Sequence, residues 1–326
     1  MSPEPKVLPT RSESPNLIAL AGGVGAARFL RGLEPGPHAE GLTTIVNTGD
    51  DRVFYGVHVS PDIDIVSYTL SGRVDANRGY GLEGDSFRVI EQLGALGHEV
   101  WFRLGDLDFA HCQHRTLRLA SGAGLATVTR EIATALGVRS RILPMSEDPC
   151  PTIVELRGGR RVHFEEYLVR DGAPDEVVGV DLSAAQAATP GPGVLDAIAA
   201  ADVILICPSN PVVSIAPILA VPGIRDAVHA SDAPVVAVSP IVSGEPVKGP
   251  ADRLLRGLGH EVSARGVAVL YRDLVDGYIL DERDAALEAD IAALGLRTRV
   301  MDTIMRDVGA SQRLAEAALA LAADCR

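Results

Sequence analysis

The sequence predicts an α/β fold: a doubly wound, mostly parallel Rossmann-like sheet with an inserted helical and β-hairpin region. Three observations predict it. Short apolar runs end on glycine or polar text, as buried parallel strands do. Helix-spaced stretches alternate with them, as crossover connections require. From about Gly72 to Pro192 that rhythm lapses, which marks an insertion.

Taken in order, "MSPEPKVLPTRSESPN" has no sustained apolar block and reads as a frayed leader over residues 1–15, not as a signal peptide. "NLIALAGG" is a strand stopped by glycine, and "AARFLRGL" then takes helical spacing. "LTTIVNTGDD" repeats the pattern of a buried strand delivered into a polar loop. The middle interval holds helices near "DSFRVIEQLGALG" and "LATVTREIATALG". It continues with "TIVELRGGRRVHFEEYLVR", two alternating runs joined at Gly158-Gly159, a hairpin signal. From about Val194 the strands are "DVILICPSNP", "APVVAVSP", "DGYILD" and "RTRVMDT". The helices between and after them are "VSIAPILAVPGIRDAVHA", broken by Pro217 and Pro222, then "GPADRLLRGLG", "ERDAALEADIAALGL" and "DVGASQRLAEAALALA". Residues 16–71 and 193–326 are therefore expected to form a Rossmann-like core, with 72–192 inserted.

At 326 residues the chain can bury a large core. Its net charge of −13 argues against a nucleic-acid partner, which would need cations to displace counterions. No run of about 18 apolar residues suggests a membrane span. Cys112, Cys150, Cys207 and Cys325 form no CxxC pair, so neither a zinc cage nor a disulfide framework is expected, and a cytoplasmic location fits. The Ala-rich last helix offers an apolar face for a second subunit, so a homodimer is expected.

Ligands of open α/β sheets collect where loops and helix N-termini converge at the strands' carboxyl ends. Four such ends carry unusual text: "GGVGAAR", "NTGDD", "CPSNPVVS" and "SPIVSGEPVKGP". Read from Gly23, the dinucleotide fingerprint ends on Arg28, which weakens a dehydrogenase reading, and no P-loop motif occurs. Gly22, Gly23 and Gly25 still allow backbone N–H groups to approach an anion, or simply form a structural turn. "NTGDD" is by itself an ordinary solvated turn. A diphosphate at the glycine turn changes that, because Asp50, Asp51, Asp62 and Asp64 would repel it. Two like charges ~4 Å apart cost about 4 kcal/mol at an effective dielectric near 20. A hard divalent cation reverses the sign, and carboxylates with phosphate oxygens are what Mg²⁺ prefers. Asp50 and Asp62 are the first candidate ligands and catalytic residues, followed by Asp64. Ser209 and Asn210 of "PSNP" read as an N-cap or as ligand contacts, and Lys248 as an anion contact or a surface cation. His111 and His114 at a spacing of three lack a third ligand, so zinc is not expected. No Ser-His-Asp or Cys-His order supports covalent catalysis.

The strings "GGVGAARFLRGL", "VNTGDD", "GVHVSPDID", "RGYGLEGDSF", "WFRLGDLD", "HFEEYLVR", "CPSNPVVSIAPILAVPGIR" and "VAVSPIVSGEPVKGPADR" resemble, in that order, the 2-phospho-L-lactate transferases that build the deazaflavin coenzyme F-420. The similarity runs from about Leu17 to Asp281. It implies transfer of a phospho-acid from its guanosine diphosphate conjugate to the ribityl hydroxyl of the deazaflavin FO, releasing GMP with Mg²⁺. It also implies that Asn47 and Asp50 of the acidic loop serve the metal and substrates, that Arg88 lies near the FO-binding segment, and that the irregular middle shelters the flat deazaflavin. Accepting the ribityl proton is a second role for Asp50, ranked below metal binding because a metal ligand is a poor base. The chain departs from the family pattern in reading Leu107 for Arg and Cys112 for His, leaving phospholactate, phosphoenolpyruvate and phosphoglycerate donors open. The competing reading is a non-enzymatic, nucleotide-sugar-binding regulator of central metabolism on the same fold; "NTGDD", "SPDID" and "WFRLGD" favour the transferase.

Overall fold

The computed structural model describes residues 14–326; the expected leader falls, but for Ser14 and Pro15, outside them. Seven strands form one all-parallel sheet. In spatial order they are Arg297–Met301, Gly277–Asp281, Val235–Val238, Val203–Ile206, Leu17–Ala21, Leu42–Val46 and Arg141–Pro144. The order reverses direction between Leu17–Ala21 and Val203–Ile206, which makes their carboxyl ends the switch point of a doubly wound sheet.

Period-two alternation explains why the two central strands, Leu17–Ala21 and Val203–Ile206, are apolar throughout. Leu17, Ala19 and Ala21 face one helical layer, while Ile18 and Leu20 face the other. Val203 and Leu205 divide from Ile204 and Ile206 in the same way, so every side chain of each strand is buried. The first layer contains helices Gly23–Leu30, Pro61–Leu70, Leu125–Leu136 and Val308–Asp324. The second contains Val194–Ala199, Ala216–Ala220, Ile224–His229, Ala251–Gly257 and Ala264–Tyr271.

Three readings change. The interval 72–192, expected as one insertion, contains the edge strand Arg141–Pro144, paired in parallel with Leu42–Val46. Helix Leu125–Leu136 packs on that edge, so two excursions replace one inserted region. The hairpin about Gly158-Gly159 forms, with Ile153–Leu156 opposite Arg161–His163 and Val177–Asp181 on the other side. Its second run stops at His163, because Phe164 and Tyr167 are drawn into buried clusters by a helical turn over Glu166–Arg170. The last helix turns its apolar face inward: Leu314, Ala315, Ala318 and Leu321 pack in the first layer's core, so the face expected to meet a second subunit is occupied within the chain. Among the described residues no helix is long and apolar enough to cross a membrane.

Candidate active site

The glycine turn, the acidic loop and "PSNP" meet at the switch point. Gly22 ends the first strand without room for a side chain, since a Cβ there would lie 2.7 Å from Asp62 Oδ2 and from Ser214 Cβ. Gly23 has φ +72°, a left-handed conformation that glycine adopts without strain. Its N–H, at the N-terminus of helix Gly23–Leu30, donates to Asp62 Oδ1 at 2.8 Å. Asp62 itself stands in the first turn of helix Pro61–Leu70, where Pro61 needs no hydrogen-bond partner. Asn47 is the strut of the site. Its amide donates to Asp62 Oδ2 at 2.9 Å and to the Val213 carbonyl at 3.3 Å, and its carbonyl accepts from Gly49 N at 2.8 Å.

Around Asp62 gather Asp50, Asp51 and Glu165, all in poorly hydrated positions. Asp50 Oδ1 is buried and meets no donor. Burial first, then the charges of Asp62, Glu165 and Asp51, pushes the Asp50 carboxyl well above the usual carboxylate range. Burial likewise raises Asp62 to about 6, opposed by its bonds to Asn47 and Gly23. Glu165, where the hairpin's second strand gives way to a helical turn, is raised to about 8 by burial and by Asp62. Asp51 is better satisfied, accepting from Ser60 Oγ at 2.6 Å and lying 3.2 Å from His58 Nε2.

Asp64 lines the same cavity but has a different partner. It forms a buried ion pair with Arg115, whose second nitrogen donates to Asp64 Oδ2 at 3.1 Å. Asp64, Asp108 and Cys112 do bring ligand atoms within 4.8 Å of one another. Arg115 already neutralises Asp64, however, and burial pushes the Cys112 thiol up, so that trio suits a hard cation poorly. His111 and His114 have separate partners: His111 Nδ1 lies 3.1 Å from the Tyr68 hydroxyl, and His114 pairs with Glu131.

A cavity of about 530 Å³ opens over these groups. Gly22, Gly23, Gly25, Asp50 and Asp62 line it, joined by Ser209 and Asn210. Ser209 Oγ accepts from Gly22 N at 3.4 Å, and Asn210 caps the following turn by accepting from Val212 N at 3.0 Å, so the N-cap reading of "PSNP" holds beside its place in the wall. The excursions supply an apolar side from Trp101, Phe102, Phe164 and Leu168. Arg28, Arg103 and the exposed Lys248 provide positive charge. Arg88 is exposed and borders a shallow groove with Val89, Gln92 and Leu96, outside the cavity lining. Its neighbour Phe87 makes the link, lying under the guanidinium of the cavity residue Arg103 at 4.7 Å. Leu107 is exposed and Cys112 fully buried, so neither lines the wall.

Glu165 and Arg28 escaped the sequence reading. Glu165 sits in a run that alternates like a strand, and only the helical turn aims it at Asp62. Arg28 was legible as the cation standing where a dinucleotide fingerprint needs a small residue.

Fold and crevice together define a Rossmann-like α/β protein whose polar groups converge on one acidic, cation-flanked switch point, a class that hosts many small-molecule chemistries. Within that class the chain belongs to the CofD family, described as 2-phospho-L-lactate transferase, whose sequence model matches residues 17–309. It is thus a transferase of that family. A phosphoenolpyruvate transferase of Kitasatospora aureofaciens is 45% identical over 317 residues, covering 95% of this chain and 98% of that one. A 2-phospho-L-lactate transferase of Methanosarcina acetivorans is 39% identical over 300 residues, covering 92% and 97%. A solved Bacillus halodurans protein of the upf0052 family superposes with a TM-score of 0.62 at 22% identity, covering 95% of this chain and all of that one, which is a likeness of fold.

Proposed function

We propose that this transferase moves a phosphorylated acid from its guanosine diphosphate conjugate to the ribityl hydroxyl of the deazaflavin FO, releasing GMP, in coenzyme F-420 biosynthesis. The observation that carries the reading is the carboxylate cluster at the glycine turn, with Asp50 Oδ1 buried and unpartnered. Glu165, itself buried, adds a further carboxylate beside Asp62. Buried acids left this way ask for a cation, and an all-oxygen donor set suits Mg²⁺. Asp50, Asp62 and Glu165 would hold it; Asp64, spoken for by Arg115, would not. An ion held there would supply positive charge against the transferring phosphoryl group.

The chain's own residues do the rest by position. Asn47 and Gly23 fix Asp62, so the cluster is preorganised before substrate arrives. The acceptor oxygen bonds to the outer phosphorus as that phosphorus parts from the bridging oxygen, which leaves with its electron pair on GMP. The hydroxyl proton passes to a cavity carboxylate; for Asp50 that role ranks second to metal binding, because a metal ligand is a weak base. Trp101, Phe102 and Phe164 offer the flat apolar wall that a deazaflavin ring needs. The higher identity to phosphoenolpyruvate transferases favours the phosphoenolpyruvate donor.

Turnover with FO and each of the phospholactate, phosphoenolpyruvate and phosphoglycerate conjugates, read by mass spectrometry, tests this. The expected product is the phosphoenolpyruvate adduct with stoichiometric GMP. Binding of a nucleotide sugar with no adduct from any donor would replace the reading with that of a regulator.

A further inference from the structure

We infer that the Asp108 carboxylate takes the proton of the acceptor hydroxyl, held for that task by Tyr68 and His111. This role rests on the transfer proposed above, which needs a base. As the acceptor oxygen bonds to phosphorus its O–H bond breaks, and the proton moves to an Asp108 oxygen while the bridging oxygen leaves with its electron pair on GMP. The carboxylates lining the cavity are Asp50, Asp62, Asp64, Asp108 and Glu165. Asp50, Asp62 and Glu165 are the proposed cation ligands, and a carboxylate spent on a metal is a weak base. Asp64 is paired with fully buried Arg115. Asp108 remains.

Asp108 stands in the first turn of helix Asp106–Ala120, which follows the wall residues Trp101, Phe102 and Leu104 in the chain. Its backbone is pinned by Asp85, whose Oδ2 accepts from Asp108 N at 3.1 Å and whose Oδ1 accepts from Leu107 N at 2.9 Å. Its side chain is pinned by Tyr68, which also lines the cavity and whose hydroxyl donates to Asp108 Oδ1 at 2.7 Å. Oδ2 is the oxygen left for the acceptor. Tyr68 is buried, and its hydroxyl lies 3.1 Å from Nδ1 of His111, which stands about one helical turn beyond Asp108. A neutral imidazole with its proton on Nδ1 donates to the phenol oxygen and keeps the hydroxyl aimed at Asp108; burial, which lowers the His111 pKa, favours that neutral form. The titratable and charged groups around Asp108 are Asp64 and Tyr68 from helix Pro61–Leu70, Asp85 from the preceding loop, and His111, Cys112 and Arg115 from its own helix. Burial first, then the Asp64 charge, raises the Asp108 carboxyl to about 7, against the Tyr68 bond and the Arg115 charge. A base poised near neutral pH is ionised often enough to act and basic enough to take the proton.

The test is the pH dependence of kcat/KM for FO, with the phosphoenolpyruvate conjugate and saturating MgCl₂, in wild type, Asp108→Asn and Tyr68→Phe, each checked by its melting temperature. Wild type should rise with pH to a plateau, with a midpoint near 7. Asp108→Asn should lose kcat by about 100- to 1,000-fold at an unchanged KM for FO, and lose the rising limb. Tyr68→Phe, without the donor that favours the charged carboxylate, should move the midpoint up by about one pH unit and regain most of the wild-type rate above it. A merely structural tyrosine would lower the rate alike at every pH. An unmoved limb in Asp108→Asn, or weaker FO binding at undiminished kcat, overturns the base. Should Asp108→Asn fail to fold, an unmoved midpoint in Tyr68→Phe overturns it. Wild type that forms no adduct from any donor removes the reaction and the base with it, whereas adduct formation with an unmoved limb removes the base alone.

Discussion

Glu165 makes the sharpest test of the carboxylate cluster, because its environment turns directly into a pH-dependent stability. In the folded protein its carboxyl is held near 8 by burial and by Asp62; in the unfolded chain it returns to about 4.5. Between those values the folded state binds a proton that the unfolded state has released. Stability from this group is therefore full below about pH 4.5 and is lost as pH rises toward 8. From about pH 6 to about pH 8 the loss is about 2 kcal/mol. A chain of 326 residues unfolds with an entropy near 0.7 kcal/mol/K, so the melting temperature should drop by about 3 °C. The perturbation is Glu165→Gln, which keeps the size and removes the titration. The assay is thermal melting of both proteins in EDTA at the two pH values, read as the difference between them. The difference should shift by about 3 °C in favour of the variant at the higher pH. Excess MgCl₂ should restore wild type most at the higher pH, and do little for Glu165→Gln. A difference that stays constant across the two pH values refutes the claim that burial keeps Glu165 protonated.

Three further outcomes are expected. Asp50→Asn should melt at or above wild type without metal, since a like charge is gone, yet GMP release should fall on the order of 100-fold; near-normal turnover would remove Asp50 from the site. Arg115→Met leaves Asp64 buried without its partner and should cost about 3–5 kcal/mol in urea denaturation, whereas a loss below 1 kcal/mol would mean that Asp64 is hydrated in solution. Leu314→Ala should cost about 2–5 kcal/mol, because Leu314 is fully buried between the last helix and the sheet; a small change with dimer dissociation on a sizing column would instead return that face to a subunit interface.

The fold's grammar was legible because it is local. Each core strand carries apolar residues on both faces, and each ends on glycine or polar text, so Leu17–Ala21, Val203–Ile206 and Gly277–Asp281 announce themselves. Arg141–Pro144 did not: with four residues, one of them exposed and one proline, it has too little pattern to be separated from its surroundings. Helix Asp106–Ala120 was equally quiet, since the residues it buries are Cys112 and Arg115, and a buried arginine breaks the apolar stripe that reveals a helix.

For the site, residue types and strand-end positions made Gly22, Gly23, Asp50 and Asp62 candidates, and the family resemblance added Asn47; the structure brings them together because a parallel sheet delivers all such loops to one edge. Their pairing was not legible. Asp62 and Asp64 are two residues apart on one helical turn, about 200° around the axis, so one meets Gly23 and Asn47 while the other meets Arg115. Whether a carboxylate stands ready for a cation or is already neutralised depends on which distant segment packs against it. Chain order records the charges; only the packed structure decides their partners, because electrostatic energy depends on separation and burial, and both are properties of the tertiary fold.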